Sequence, residues 1–154
     1  MAVKELKKLL DDNQVKYKAI SHSVAYTAQE IAAAADVPGQ ELAKTIIVRI
    51  DGELAMAVLP ASYRVDTGKL ARAAGAKKAE IAGEDEFADL FPGCELGAMP
   101  PFGNLFGMKV YVAEKLAADD EIAFNAGTHR ELIRLAYADF ERLVKPVKAA
   151  FAVA

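Results

Sequence analysis

The conventional nucleophiles and metal ligands of this 154-residue chain are few: His22 and His129, Cys94, and Ser21, Ser23 and Ser62. A single cysteine excludes an internal disulfide and every multi-cysteine metal motif. The two histidines are more than a hundred positions apart, and no ligand-spaced His/Cys/Asp/Glu cluster supports a zinc site. None of the serines stands in a G-x-S-x-G elbow. Thr67-Gly68-Lys69 superficially resembles a phosphate loop but lacks its upstream glycine and following hydroxyl residue, and no G-x-G-x-x-G is present. Metal, serine-nucleophile and dinucleotide chemistry are thus disfavoured, and no cofactor is expected.

One segment is not generic. In Gly97-Ala98-Met99-Pro100-Pro101-Phe102-Gly103, two adjacent prolines fix two φ angles and delete two N–H donors, so the stretch cannot sit within a central strand. Pro100 also pushes Met99 toward an extended conformation. The flanking glycines permit positive φ or close backbone approach. A rigid loop between two such pivots suits the presentation of main-chain N–H and C=O groups to a small polar ligand, and suits a purely structural turn equally well. Lys44, in the context Ala43-Lys44-Thr45-Ile46, reads by itself as a solvated lysine at a strand. Pinned and partly desolvated, the same side chain would supply a positive charge at a fixed place.

Elements that would position these residues follow from periodicity. Val3, Leu6, Leu9 and Leu10 form one helical stripe over residues 3–10, with Asp11-Asp12-Asn13 as a polar exit. Val15 to Ile20 alternates apolar residues with Lys16 and Lys18, as a half-buried strand does. Thr27-Ala28-Gln29-Glu30 fits a capping box for an Ala-rich helix that stops before Pro38-Gly39. The clearest signal is a hairpin, Thr45–Ile50 and Glu53–Leu59 joined by Asp51-Gly52, a pair that favours the type I′ turn. Asp66 can cap a helix over Thr67–Ala74 that ends at Gly75. A further amphipathic helix is expected over Glu84–Leu90, strands over Lys109–Ala113, Glu121–Asn125 and Leu132–Tyr137, and a last helix over Asp139–Val144. The pattern is α+β, without the regular strand–helix alternation of a doubly wound sheet. It calls for a mixed, strongly curved or barrel-like β-sheet with short flanking helices.

Composition agrees with one folded unit over residues 1–154. Hydrophobic residues make up 53% of the chain, 31 of them alanine, and charged residues 27%. Acidic residues outnumber basic ones 22 to 19, a net charge of −3, whereas a protein coating long nucleic acid carries a basic surplus. DNA is therefore not an expected partner, while contact with a short nucleic-acid end stays open. No apolar run approaches the ~20 residues of a membrane span, and the charged N-terminus MAVKELKKLLDD lacks the apolar centre of a signal peptide. A cytoplasmic protein with no membrane partner is the expectation.

The proline loop, with Glu41-Leu42-Ala43-Lys44-Thr45 leading into a strand and Phe124-Asn125-Ala126-Gly127-Thr128-His129 downstream, resembles the YbaK/ProRS-associated editing-domain family. The similarity runs in order from His22 to Pro146, and the G-x-x-P-P-F-G signature is matched at every fixed position. The resemblance implies a deacylase that hydrolyses mischarged aminoacyl-tRNA, holding the tRNA acceptor end, with an aminoacyl-tRNA synthetase as a further partner. It implies a catalytic Lys44, acting on a phosphate near the terminal adenosine or on the developing oxyanion. It implies a substrate-binding cradle of Gly97, Ala98, Met99, Pro100, Pro101, Phe102 and Gly103, with Met99 shaping the amino-acid pocket and Gly127 and His129 lining it. Tyr26 and Thr27 fall near the pocket mouth, Thr27 being accounted for by its capping role; His22, between a strand and a capped helix, reads as structural, and Cys94 as a small semi-buried residue. Lys7, Lys8, Lys16, Lys18, Lys77 and Lys78 are candidates for steering tRNA. The alternatives are a non-catalytic tRNA- or synthetase-associated binding module and a small-molecule hydrolase or nucleotide binder on the same scaffold.

Overall fold

The structure is a computed structural model that describes residues 2–21 and 41–154. It opens with helix α1 (Ala2–Asp12), whose Leu6 and Leu10 are fully buried. The helix ends as Gln14 takes φ 58° and the Val15 N–H donates to Leu10 O at 2.9 Å. Val15 thus closes the helix, and strand β1 begins two residues later than its alternation suggests, at Tyr17–Ser21. The expected capping box at Thr27–Glu30 and the Ala-rich helix after it lie outside the described residues.

Strands β2 (Leu42–Ile50) and β3 (Glu53–Pro60) form the expected hairpin. Asp51 and Gly52 adopt φ 48° and 87°, the double positive φ of a type I′ turn. Strand β4 (Arg64–Val65) leads to helix α2 (Thr67–Ala74), capped by the Asp66 carboxylate on Lys69 N–H and by Gly75. After β5 (Ala79–Ile81), helix α3 covers only Glu84–Phe87. The expected continuation to Leu90 fails because the chain turns to bury Phe91 edge-on against Phe87 and Phe106, leaving Leu90 exposed.

The proline loop runs into a short 3-10 turn at Gly103–Leu105, followed by β6 (Lys109–Ala113) and helix α4 (Glu114–Ala117). Then come β7 (Glu121–Asn125), β8 (Glu131–Ala136), α5 (Tyr137–Val144), β9 (Val147–Ala149) and β10 (Ala152–Val153). Strands β4, β5, β9 and β10 carry two or three residues each, too few for a periodicity signal.

The main sheet has the order β1-β8-β7-β2-β3-β6-β9, with β5 also paired to β2. It is mixed: β7 with β2, β3 with β6 and β6 with β9 are parallel, and the other pairs are antiparallel. Among the described residues the path has two ends, β1 and β9, so the sheet is open and not a closed barrel. Both faces are covered. Met56 and Val58 of β3 join a core that includes α1, Met99, Phe102, Phe124 and Phe140. Ala57 and Leu59, alternating with them, join a second core built with Leu70, Tyr111 and Phe151. Such two-sided burial requires apolar residues on both faces of the central strands, which β3 supplies in Ala55–Pro60, buried throughout.

Candidate active site at the parting of two strands

One edge of β2 is taken by β3 along nearly its whole length. The other edge is shared. Its first residues pair in parallel with β7, Leu42 with Ala123 and Ala43 with Phe124, and its last three pair with β5. Between these contacts the ladder is interrupted from Lys44 to Ile47, of which Lys44, Thr45 and Ile46 are half-buried. Lys44 therefore stands where β7 parts from β2.

Strand alternation places the Lys44 side chain on the second face, with its cross-strand partner Leu59. Burial lowers its pKa from the ordinary lysine value, since taking an ammonium from water favours the neutral form. Among the described residues its ammonium has no ion pair. Asn125 ends β7, just past its last pair with β2. Among the described residues its buried Oδ1 has no hydrogen-bond partner.

Beyond Asn125 the chain turns back toward β8, and this turn holds the proline loop. Glu95 N–H donates to Gly127 O at 2.8 Å, Gly127 N–H to Ala98 O at 2.9 Å, and Ala98 N–H to Glu95 O at 3.1 Å. The Glu95 carboxylate accepts the His129 N–H at 2.7 Å. The His129 ring returns the contact through Nε2, 2.9 Å from Leu96 O. A carbonyl only accepts, so Nε2 carries the proton. Gly97 has φ 84°, and a Cβ there would lie 3.5 Å from His129 Cε1, so glycine answers both the backbone conformation and the passing imidazole. His129 is 9% exposed, buried against the loop that it contacts.

The loop is seated from below. Met99 and Phe102 are in the first core, and Phe102 packs 5.5 Å from Phe124 and 5.6 Å from Phe140 between ring centroids. Residues Ala98 to Gly103 are all buried. Met99 thus anchors the loop, and its influence on a pocket runs through that seating. Backbone accounting then narrows the cradle. Ala98 is used by Glu95 and Gly127, and the carbonyls of Phe102 and Gly103 by the following turn. The N–H and C=O of Gly97 and Met99, and the carbonyls of Pro100 and Pro101, have no backbone partner among the described residues.

The structure therefore ties Glu95, Leu96, Ala98, Gly127 and His129 into one hydrogen-bonded unit, from which Met99 to Gly103 run on into the core. It brings Lys44 to the same end of β7, one strand away and on the opposite sheet face from the buried Met99 and Phe102. His22, Tyr26 and Thr27 lie outside the described residues. Cys94 is half-buried, and burial, with Glu5 nearby, pushes its thiol pKa up, the reverse of an activated nucleophile. Among the described residues no group of three His, Cys, Asp or Glu is arranged to hold a metal ion, and no helix is long and apolar enough to cross a membrane. Lys7 pairs with Glu131 and Lys78 with Glu80, so the lysines named for steering do not act as one free set. Sequence reasoning passed over Glu95 and Asn125. An exposed acid and an asparagine in a strand carry no local signal of a role.

Comparison with known proteins bears on this arrangement. Residues 22–143 match the family model described as aminoacyl-tRNA editing domain. The chain is 28% identical over 144 residues to the Multifunctional Ser/Thr-tRNA deacylase ProXp-y of Escherichia coli (strain K12), covering 90% of this chain and 85% of that protein. It is 34% identical over 88 residues to a proline–tRNA ligase of Staphylococcus saprophyticus, which is 56% of this chain and 15% of the ligase. In fold it resembles a crystal structure described as a candidate trans-editing enzyme for prolyl tRNA synthetase, with a TM-score of 0.82 and 22% identity over 99% of this chain and 98% of that one.

Proposed function

The chain belongs to the aminoacyl-tRNA editing domain family, and from that premise we propose that it is a deacylase acting in trans on mischarged tRNA that carries a small amino acid of the alanine, serine, threonine or cysteine class. The reaction consumes one water. Its oxygen bonds to the ester carbonyl carbon, the bond to the terminal ribose oxygen breaks, and that oxygen leaves with a proton as free tRNA while the amino acid departs. Activity on aminoacyl-tRNA follows from the family and from the deacylase relative; the substrate range and the division of labour below are the finer proposal.

The observation that carries it is that, among the described residues, the peptide groups of Gly97 and Met99 have no backbone partner in a proline-stiffened loop buried from Ala98 onward, at the same end of β7 as the partly desolvated Lys44 on the other sheet face. An aminoacyl ester is an activated substrate, so a site that orients it and stabilises charge can act without a metal or serine triad. The loop would hold the aminoacyl group through its main chain, and Gly127 and His129 would close the side of the pocket. The Lys44 ammonium, fixed where the strands part, would stabilise the developing oxyanion or hold the neighbouring phosphate. The deacylase relative is named for Ser/Thr-tRNA, which supports the reading of a small ester.

The test is a panel of Ala-, Ser-, Thr-, Cys- and Pro-tRNAs with wild type and Lys44→Ala. Turnover of at least one small ester is expected, falling by about 100-fold or more in the variant with its circular dichroism unchanged. A flat response across the panel would replace the deacylase with a binding module.

A further inference from the structure

Beside the start of β2 lies a cavity of about 320 Å³, lined by Pro60, Tyr63, Lys115, Ala118 and Asp119 and at the lower end of the size range of small-ligand pockets. Its walls are fixed. Pro60 closes β3 opposite Ala43, and the turn after it is pinned by Ala61 N–H on Leu42 O at 2.8 Å and Tyr63 N–H on Pro60 O at 3.0 Å. Tyr63 rests half-buried against the second core. Lys115 belongs to α4, which the fully buried Leu116 anchors. The Ala118 and Asp119 N–H groups return to Glu114 O and Leu116 O, both at 3.1 Å.

Lys115 and Asp119 are four positions apart, the spacing at which opposite charges on a helical turn commonly pair, yet they do not. The Lys115 ammonium lies over the Tyr63 ring instead, 5.3 Å from its centroid. Asp119 Oδ2 is buried with no hydrogen-bond partner among the described residues, and a buried acceptor left open is costly. Burial, with Glu41 and Asp120 nearby, raises the Asp119 pKa. The cavity thus offers an acceptor without a donor, an aromatic ring and an exposed cation. A single nucleotide of an unpaired strand answers all three, through its amino group, its base and its phosphate. Lys115 can leave the ring for the phosphate, because a base stacked on an aromatic ring gains more than an exposed cation–π contact. The place also fits. Pro60 follows Leu59, the cross-strand partner of Lys44, so its Cα is about 6 Å from that of Lys44 at ordinary strand spacings. We infer that this cavity receives the cytidine preceding the terminal adenosine of tRNA, with its base on Tyr63, its exocyclic amine on Asp119 and its phosphate on Lys115. The inference deepens the deacylase reading and rests on it. A carboxylate accepts from the cytosine amine, whereas uracil presents a carbonyl at that position.

The experiment titrates two uncharged acceptor-stem RNA hairpins, one ending in CCA and one in CUA, by fluorescence anisotropy against wild type, Tyr63→Ala, Tyr63→Phe and Asp119→Asn. Wild type is expected to bind the CCA hairpin at least about five-fold more tightly than the CUA one. Tyr63→Ala should lose at least about five-fold in affinity for CCA, while Tyr63→Phe, which keeps the ring, loses little. Asp119→Asn preserves the shape of the side chain and should bring the two hairpins together, since an amide both donates and accepts. No binding of either hairpin, equal binding of both by wild type, a CCA affinity untouched by Tyr63→Ala, or an undiminished preference in Asp119→Asn overturns the inference. The readout needs no ester, so the two readings fail separately. A wild type that binds with the expected preference but turns over no ester keeps the cytidine pocket and loses the deacylase; turnover without any preference between the hairpins does the reverse.

Discussion

At the scale of the residue, Lys44 carries the sharpest expectation, because its burial works against stability. The folded protein releases the Lys44 proton at a lower pH than the unfolded chain does. Between those two values the unfolded state binds more protons, so stability rises with pH across that window; below it the buried charge is a net burden. Lys44→Met is therefore expected to leave the melting midpoint at pH 7 unchanged or raised, while deacylation falls by about 100-fold or more. Thermal denaturation and a turnover assay on one sample check both halves, and a lower midpoint with retained turnover contradicts them. The same shift predicts the alkaline side of the pH–rate profile. Activity should decline at a lower pH than the titration of an exposed lysine, as the ammonium becomes neutral.

At the scale of the element, β2 separates stability from chemistry along its length. Its far end carries the Asp51-Gly52 turn, seven residues and about 23 Å from Lys44 at the usual strand rise. There the Asp51 carboxylate accepts the N–H groups of Lys77 and Lys78, both at 3.0 Å, tying the hairpin to the segment before β5. Asp51→Ala is expected to lower stability by about 1–2 kcal/mol in denaturant titration, with kcat/KM unaltered below the melting range. In the turn before β6 stability and turnover are coupled instead. A Cβ at Gly103 would collide with Met108 O and stand 2.6 Å from Val110 Cγ2, so Gly103→Ala must shift the loop off β6. Overpacking of this kind costs about 1–3 kcal/mol, and here turnover should fall with stability because the displaced segment is the proposed cradle. Comparing the two variants by denaturation and turnover separates a general loss of fold from a local one.

At the scale of the whole molecule, the net charge of −3 limits how tRNA is met. Lys7 and Lys78 are engaged by carboxylates and add little to the displacement of counterions. Single strands contribute about 0.7 to the slope of log affinity against log salt for each phosphate neutralised. A slope magnitude below about 2, from KM measured across a salt series, is expected for a protein that grips only the acceptor end. A steep slope would indicate a broad duplex footprint.

The sequence by itself determined whatever is local. The Asp-Gly hairpin, the Asp66-to-Gly75 helix and the boundaries of β6 and β7 appear as expected, because turn chemistry, capping and alternation act over a few residues. The family was also legible, since a proline pair between glycines with a lysine strand upstream is rare enough to identify. Tertiary structure alone decided what depends on distant partners. Helix α3 ends early because Phe91 has aromatic partners to meet, and strands of two or three residues exist only because a neighbour pairs with them. His129 faces Leu96 across 33 positions, and Glu95 reaches its amide across 34. No local pattern encodes such a hydrogen bond, because its geometry comes from the sheet that brings the two backbones together.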